Sequence, residues 1–210
     1  MQSEIDETIY KYIPLFLQYK VDFGTVHKEE NGMFKGLCEE VNTNYLQKYD
    51  KRNVINSCIK LLPYLYNLTH RDFVTYEEAG CKYVYYWLYY DIMENNESSS
   101  FTLRFYTELI GKYAQMNILM CKNCVKGITD DVFKKIKLLY DLYDMFHKFK
   151  DYKSKPTEEH CNSAKHCSKS YKNLMDNYCM SEMNVFCEVS EKYKETYYIN
   201  MQSKTRYNAS

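Results

Sequence analysis

The residues best suited to chemistry in this sequence are thiols and imidazoles gathered in its second half. Cys121-Lys122-Asn123-Cys124 forms a C-x-x-C pair, and His160, Cys161, His166 and Cys167 follow it. Thiolate and imidazole are the usual ligands of a tetrahedral zinc ion, so this set could supply a metal site. Its spacing argues otherwise. The first pair falls at the end of a predicted helix rather than in a tight Gly-containing turn, and five residues separate Cys161 from Cys167. A thioredoxin-type redox role would need a βαβ context and a helix N-terminus to lower the thiol pKa, and neither is predicted. Disulfide bonding is the simpler reading.

The cysteine total supports it. Cys38, Cys58, Cys81, Cys121, Cys124, Cys161, Cys167, Cys179 and Cys187 make nine in 210 residues. In an oxidising compartment such usage marks a covalent framework, whereas in a reducing one it marks metal or redox work. An odd number leaves at least one thiol without an internal partner. The connectivity is open. One division gives a single pair and the odd thiol to Cys38, Cys58 and Cys81, with the last six pairing among themselves.

Hydrolytic chemistry finds no support. His27, His70, His147, His160 and His166 are scattered among charged residues, and no nucleophile-elbow or zincin motif occurs. The acids cluster as Glu29/Glu30, Glu39/Glu40 and Glu158/Glu159, which reads as solvated helix surface. With six Gly and three Pro, there is neither a Gly-rich phosphate loop nor the turn supply of a sandwich or barrel. Basic and acidic residues balance at 28 each, without the positive excess that phosphate binding requires. No catalytic residue, cofactor, metal or nucleic-acid partner is therefore expected. Tyr occurs 24 times; codon bias toward A and T explains this blandly, and large amphipathic contact surfaces explain it functionally.

Helical periodicity supplies the elements that must position these residues. Ser3 and Asp6 resemble a capping box before Ile5, Ile9, Tyr12, Phe16 and Tyr19, with Pro14 expected to kink or split that helix. Phe34, Leu37, Cys38, Val41, Tyr45 and Tyr49 mark a second helix. Ile55, Cys58, Ile59, Leu62, Leu65 and Tyr66 mark a third, bent at Pro63. Thr75 and Glu78 open a fourth that carries Cys81, Tyr86, Trp87, Leu88 and Tyr89 and is apolar nearly all round, so it should be core. After the polar run 94–100, a fifth helix carries Leu103, Tyr106, Ile110, Tyr113, Met120 and Cys124 on one face. Thr129-Asp130-Asp131 starts a sixth, a loop follows at 151–156, and two more span roughly 157–178 and 182–200. The expected fold class is all-α: a compact, disulfide-stapled bundle of about seven to eight helices, one domain over 1–210 with a weak subdivision near 151–156.

Three segments of the sequence carry a family resemblance: Cys58-Ile59-Lys60-Leu61-Leu62, the block Cys81 to Asp91 (CKYVYYWLYYD), and Lys134 to Phe149 (KKIKLLYDLYDMFHKF). Together with Cys161, Cys167 and Tyr171 in order, they resemble the Plasmodium interspersed repeat (PIR) variant antigens, vivax type, over roughly residues 5–200. The resemblance implies a helical ectodomain exported to, or displayed on, the infected red cell. It implies roles in host interaction and immune evasion, and no catalysis. Host protein receptors or antibodies would be the partners, and membrane contact would run through a C-terminal anchor that this chain lacks. No apolar run in it approaches the ~20 residues of a bilayer span, and its start is not a standard signal peptide. The variable surfaces would be Asp22–Gly32, Glu94–Ser100 and Asp151–Glu159. The alternative is an intracellular helical scaffold whose reduced Cys/His set binds zinc.

Overall fold

The computed structural model describes residues 7–25, 35, 36, 38–40, 55, 58–61, 64, 65, 68, 74–93, 97–114, 121, 124, 125, 128–150, 158–180 and 183–207. Among them every regular element is a helix. A 3-10 segment, Glu7–Tyr12, leads into α1, Ile13–Thr25. Then come α2, Val74–Trp87, continued by a π-helical turn over Leu88–Ile92; α3, Ser99–Ala114; α4, Asp130–Lys150; α5, Glu158–Tyr178; and α6, Val185–Tyr207. Cys38, Cys58, Leu61, Tyr64, Leu65 and Leu68 are also helical. Pro63 and the predicted loop 151–156 lie outside the described residues.

Local chemistry sets the starts. Pro14 occupies the second position of α1, where its missing N–H loses no helical bond, so it marks the change from 3-10 to α rather than a kink. Ser98 caps α3 through its hydroxyl to the Phe101 amide at 3.2 Å. Thr129 does the same for the Val132 amide at 3.3 Å, ahead of Asp130 and Asp131. Asn184 caps α6 at the Cys187 amide, 3.1 Å away. Each cap satisfies an amide that the first helical turn leaves without a partner.

Contacts divide the chain into two compact units, one of Met1–Asp6 with Gln18–Phe133, the other of Glu7–Leu17 with Lys134–Ser210. The first is organised around α2. Residues 79–89 are all buried, which fits a helix apolar on every face. Cys81, Tyr86, Trp87, Leu88 and Tyr89 are each at most 8% exposed. Tyr83 lies among Tyr19, Phe23 and Tyr64, with ring centroids 6.2–6.5 Å away, and Trp87 meets Phe23 at 4.7 Å. Gly80 is required by this packing: a β-carbon there would come within 2.7 Å of Leu68 and 3.2 Å of Tyr19. Lys82, almost fully buried, pairs with Glu78 at 3.4 Å.

The π turn has a local cause. Its closing bond, Met93 amide to Leu88 carbonyl at 3.0 Å, widens the helix so that successive tyrosines address one residue. Tyr89 stacks flat on Phe133 at 3.8 Å, and Tyr90 gives its hydroxyl to the Phe133 carbonyl at 2.9 Å. Buried tyrosines in this unit repeatedly use the ring for packing and the hydroxyl for a backbone carbonyl: Tyr85 to Ser99 at 2.9 Å, Tyr106 to Cys121 at 3.3 Å, Tyr113 to Cys58 at 3.2 Å.

In the second unit, α6 packs on the 3-10 segment and on α5. Phe186 sits edge-on to Tyr10 at 5.3 Å and to Tyr178 at 5.8 Å. Tyr193, 2% exposed, meets Tyr143, Phe146 and Tyr171 at 5.2, 5.8 and 6.1 Å.

Candidate binding groove

A concavity of the second unit runs between α4 and α5 and holds about 490 Å³. Its α4 wall is Leu138, Asp141, Leu142 and Met145, a stripe spaced three and four residues apart that faces one direction on a helix. Its α5 wall is His166, Ser170, Asn173, Leu174, Asn177 and Tyr178, spaced in the same way. Leu142 and Leu174 form a buried floor, while Leu138 and Tyr178 remain 39% and 37% exposed at the edge. Asp141 is paired with Lys137, and Asp144, on the rim, with Lys148 at 2.6 Å. Lys135 lies 5.9 Å over the Tyr178 ring. Beyond Tyr178, Met180 and Met183 are 80% and 70% exposed, and such flexible apolar side chains adapt to varied partners. An apolar floor with a few polar groups at the rim is the composition of a binding site.

Along α4, Val132, Ile136, Leu139, Tyr143, Phe146 and Phe149 repeat at three and four residues and read as an inward stripe. The second stripe at Leu138, Leu142 and Met145 follows the same periodicity one residue out of phase and was the available signal for this groove.

The cysteines fall into three bridges and two free thiols among the described residues. Cys38 joins Cys58, Cys81 joins Cys121, and Cys179 joins Cys187. Cys124 is free and partly exposed, Cys167 free and buried. Cys81 is therefore not the odd thiol of the first three, and one bridge crosses the division drawn from the sequence. The helix predicted to run to Cys124 also needs correction. α3 is described as far as Ala114, and Cys121 and Cys124 are not helical but are joined by a bond from the Cys124 amide to the Cys121 carbonyl at 3.3 Å. Cys121 stands at φ 60°, a left-handed conformation that costs a residue with a β-carbon about 1–2 kcal/mol.

No group of three or more His, Cys, Asp or Glu side chains among the described residues converges as a metal site. Cys121 is committed to its bridge, His166 is exposed, and Cys167 points into the core. The side chains of His160 and Cys161 lie outside the described residues, as do His27 and His70, while His147 is exposed on α4.

Burial dominates the titration of the hydroxyls and thiols. It holds Tyr85, Tyr106, Tyr113 and Tyr193 well above the ordinary tyrosine range and pushes Tyr143 up to about 12. Burial also raises the Cys124 and Cys167 thiols; for Cys124, Glu78 and Glu77 add to it and Lys82 opposes it. A raised thiol pKa disfavours the nucleophilic thiolate.

These features describe a cysteine-bridged helical protein with an open groove between two of its helices. A family model described as Plasmodium vivax Vir protein matches residues 15–208, and the chain belongs to that family. No curated protein and no solved structure matches it. No described helix is long and apolar enough to cross a membrane.

Proposed function

We propose that the chain is a non-catalytic variant antigen domain, exported to or displayed on the infected cell, which binds host proteins through exposed helix faces and contributes to immune evasion. The observation that carries this reading is the Vir-family match across residues 15–208. The groove between α4 and α5 supports it, because its exposed edge, Leu138 and Tyr178, offers apolar contact beside polar lining residues, and Met180 and Met183 are exposed further along the chain. Two of the surfaces expected to vary reach the described residues only at their margins: Asp22–Thr25 belongs to α1, and Ser99 and Ser100 open α3. Of the third, Glu158 and Glu159 begin α5.

The test is binding of the fully oxidised chain to host cells and serum antibodies, beside a Leu138→Asp/Tyr178→Ala variant. The expected result is saturable binding by the parent and at least a tenfold weaker host-protein interaction by the variant, on the order of 1.4 kcal/mol. Absence of saturable binding across a broad panel of host cells would overturn the binding role. Antibody labelling confined to the parasite interior would overturn export.

A further inference from the structure

Cys121 and Cys124 share one tight turn, closed by the 3.3 Å bond between their backbones. A turn of this kind holds its first and last Cα atoms within about 7 Å, so Cys124 sits beside the Cys121 end of the Cys81–Cys121 bridge. The charges that act on its thiol belong to the stretch of α2 that carries Cys81. Glu77, Glu78 and Lys82, which bracket Cys81 along α2, are the groups that act on Cys124. Tyr106 of α3 binds the Cys121 carbonyl through its hydroxyl at 3.3 Å and interacts electrostatically with Cys124 as well. Three sulfur atoms therefore belong to one neighbourhood, two bonded and one free.

We propose that Cys81, Cys121 and Cys124 form a thiol–disulfide exchange centre in which Cys124 replaces Cys121 as the partner of Cys81. The Cys124 thiolate attacks the Cys81 Sγ, and the Cys81–Cys124 bond forms as the Cys81–Cys121 bond breaks. The electron pair of the old bond leaves on Cys121, which takes up a proton equivalent to the one Cys124 released. One disulfide and one thiol exist before and after, so the step needs no external oxidant or reductant. The backbone favours the move: Cys121 stands at φ 60° while bridged, and exchange frees it to leave that conformation. α2 stays tethered to the same turn, but its attachment slides by three residues. The buried sulfur of Cys121 becomes the free thiol, and the partly exposed sulfur of Cys124 becomes the bridge. Because burial and the two glutamates disfavour the Cys124 thiolate, exchange is slow near neutral pH and accelerates with alkali.

Lys122 lies between the two cysteines, so trypsin delivers them on separate peptides and the two bridges are directly distinguishable. The oxidised full chain is held at about pH 7, 8 and 9, quenched with acid, alkylated and mapped without reduction. The expected result is a Cys81–Cys124 peptide growing to a constant ratio with Cys81–Cys121, its rate rising roughly tenfold per pH unit below the thiol pKa, as thiolate attack requires. A Cys121→Ser chain is expected to form the Cys81–Cys124 bridge and to leave neither sulfur open to alkylation. The proposal is overturned if wild-type protein yields only Cys81–Cys121 at every pH. It is equally overturned if folded Cys121→Ser protein alkylates at both Cys81 and Cys124. Should that variant not fold, the wild-type map decides alone.

Discussion

The two compact units of this molecule hold themselves together differently. The first relies on long covalent loops: Cys38–Cys58 spans 20 residues and Cys81–Cys121 spans 40. Loop-closure entropy assigns these bridges roughly 3.3 and 3.9 kcal/mol against the unfolded chain. The second unit has Cys179–Cys187, spanning eight residues and joining the end of α5 to the start of α6, which the same relation puts near 2.5 kcal/mol. Its cohesion comes instead from amphipathic helices locked by tyrosine rings around Tyr193, with Cys167 left as a buried thiol. A covalent loop tolerates change on the surface it encloses, because its contribution does not depend on those side chains. Ring packing tolerates less. The first unit should accordingly be the one that depends on oxidation, while both depend on neutral tyrosine.

The largest effect removes that shared dependence. An ordinary tyrosine in the unfolded chain titrates at 10.0, whereas burial holds Tyr85, Tyr106 and Tyr113 in the first unit, and Tyr143 and Tyr193 in the second, above that value. For an acid whose folded pKa is raised, the stabilisation is fully present below pH 10. It is lost as pH rises from there toward the folded value, because the unfolded chain releases the proton first. Each such hydroxyl then subtracts about 1.4 kcal/mol per pH unit, so five together remove on the order of 14 kcal/mol over two units, comparable to the 5–15 kcal/mol typical of a domain. Circular dichroism read beside tyrosinate absorbance should show helix loss and tyrosine ionisation together, beginning just above pH 10 in both units. Ionisation of the buried rings with helix retained would show that they titrate in place, which contradicts their burial.

Reduction should separate what alkali does not. Cys81→Ser is expected to lower stability by about 4 kcal/mol, and Cys179→Ser by about 2.5 kcal/mol. Regional hydrogen exchange should show the first loss concentrated in α2 and α3, the second at the α5–α6 junction. Equal losses would mean that span is not what distinguishes the bridges and would erase the contrast between the units.

A smaller effect probes how tightly the first unit closes around α2. Gly80→Ala would drive a β-carbon to 2.7 Å from both δ-carbons of Leu68, an overpacking expected to cost about 1–3 kcal/mol. Leu68→Ala in the same chain should recover part of that loss, because the obstruction is a side-chain end rather than backbone. No recovery would place the obstruction at Tyr19, 3.2 Å away on the other side.

The helical class was legible because apolar residues recur at three and four throughout, and the starts of α4 and α6 lay within a few residues of their polar caps. Burial of Cys81 through Tyr89 was readable from a run with no polar face. The sequence did not show that Cys121 and Cys124 leave the helical pattern of α3. Cys121 and Cys124 continue its apolar spacing, and the turn that places Cys121 at φ 60° contains no glycine to announce it. Cysteine pairing was equally hidden, since it depends on which helices come together, and spacing along the chain carries no record of that. The groove lay in between: its α4 stripe was present in the pattern, but a second apolar stripe on one helix reads as extra core until its neighbour is placed.

The finest contrast compares two buried hydroxyls. Tyr113 gives its proton to the Cys58 carbonyl at 3.2 Å, with the bridged Cys58 sulfur also within 3.4 Å. Tyr193 is as deeply buried, and its hydroxyl faces the Cys167 thiol, a weak hydrogen-bonding partner that leaves it without a well-formed bond. Tyr113→Phe removes that buried hydrogen bond, a loss of about 0.5–1.5 kcal/mol. Tyr193→Phe removes a polar atom that burial has already stripped of water and left poorly matched. The ring contacts with Tyr143, Phe146 and Tyr171 survive, so stability should stay within about 0.5 kcal/mol or rise slightly. Urea midpoints of the two variants, measured with unchanged m-values, give the comparison directly. If Tyr193→Phe is the more damaging, the thiol–hydroxyl pair is a true bond, and the second unit is held by polar contacts as well as by rings.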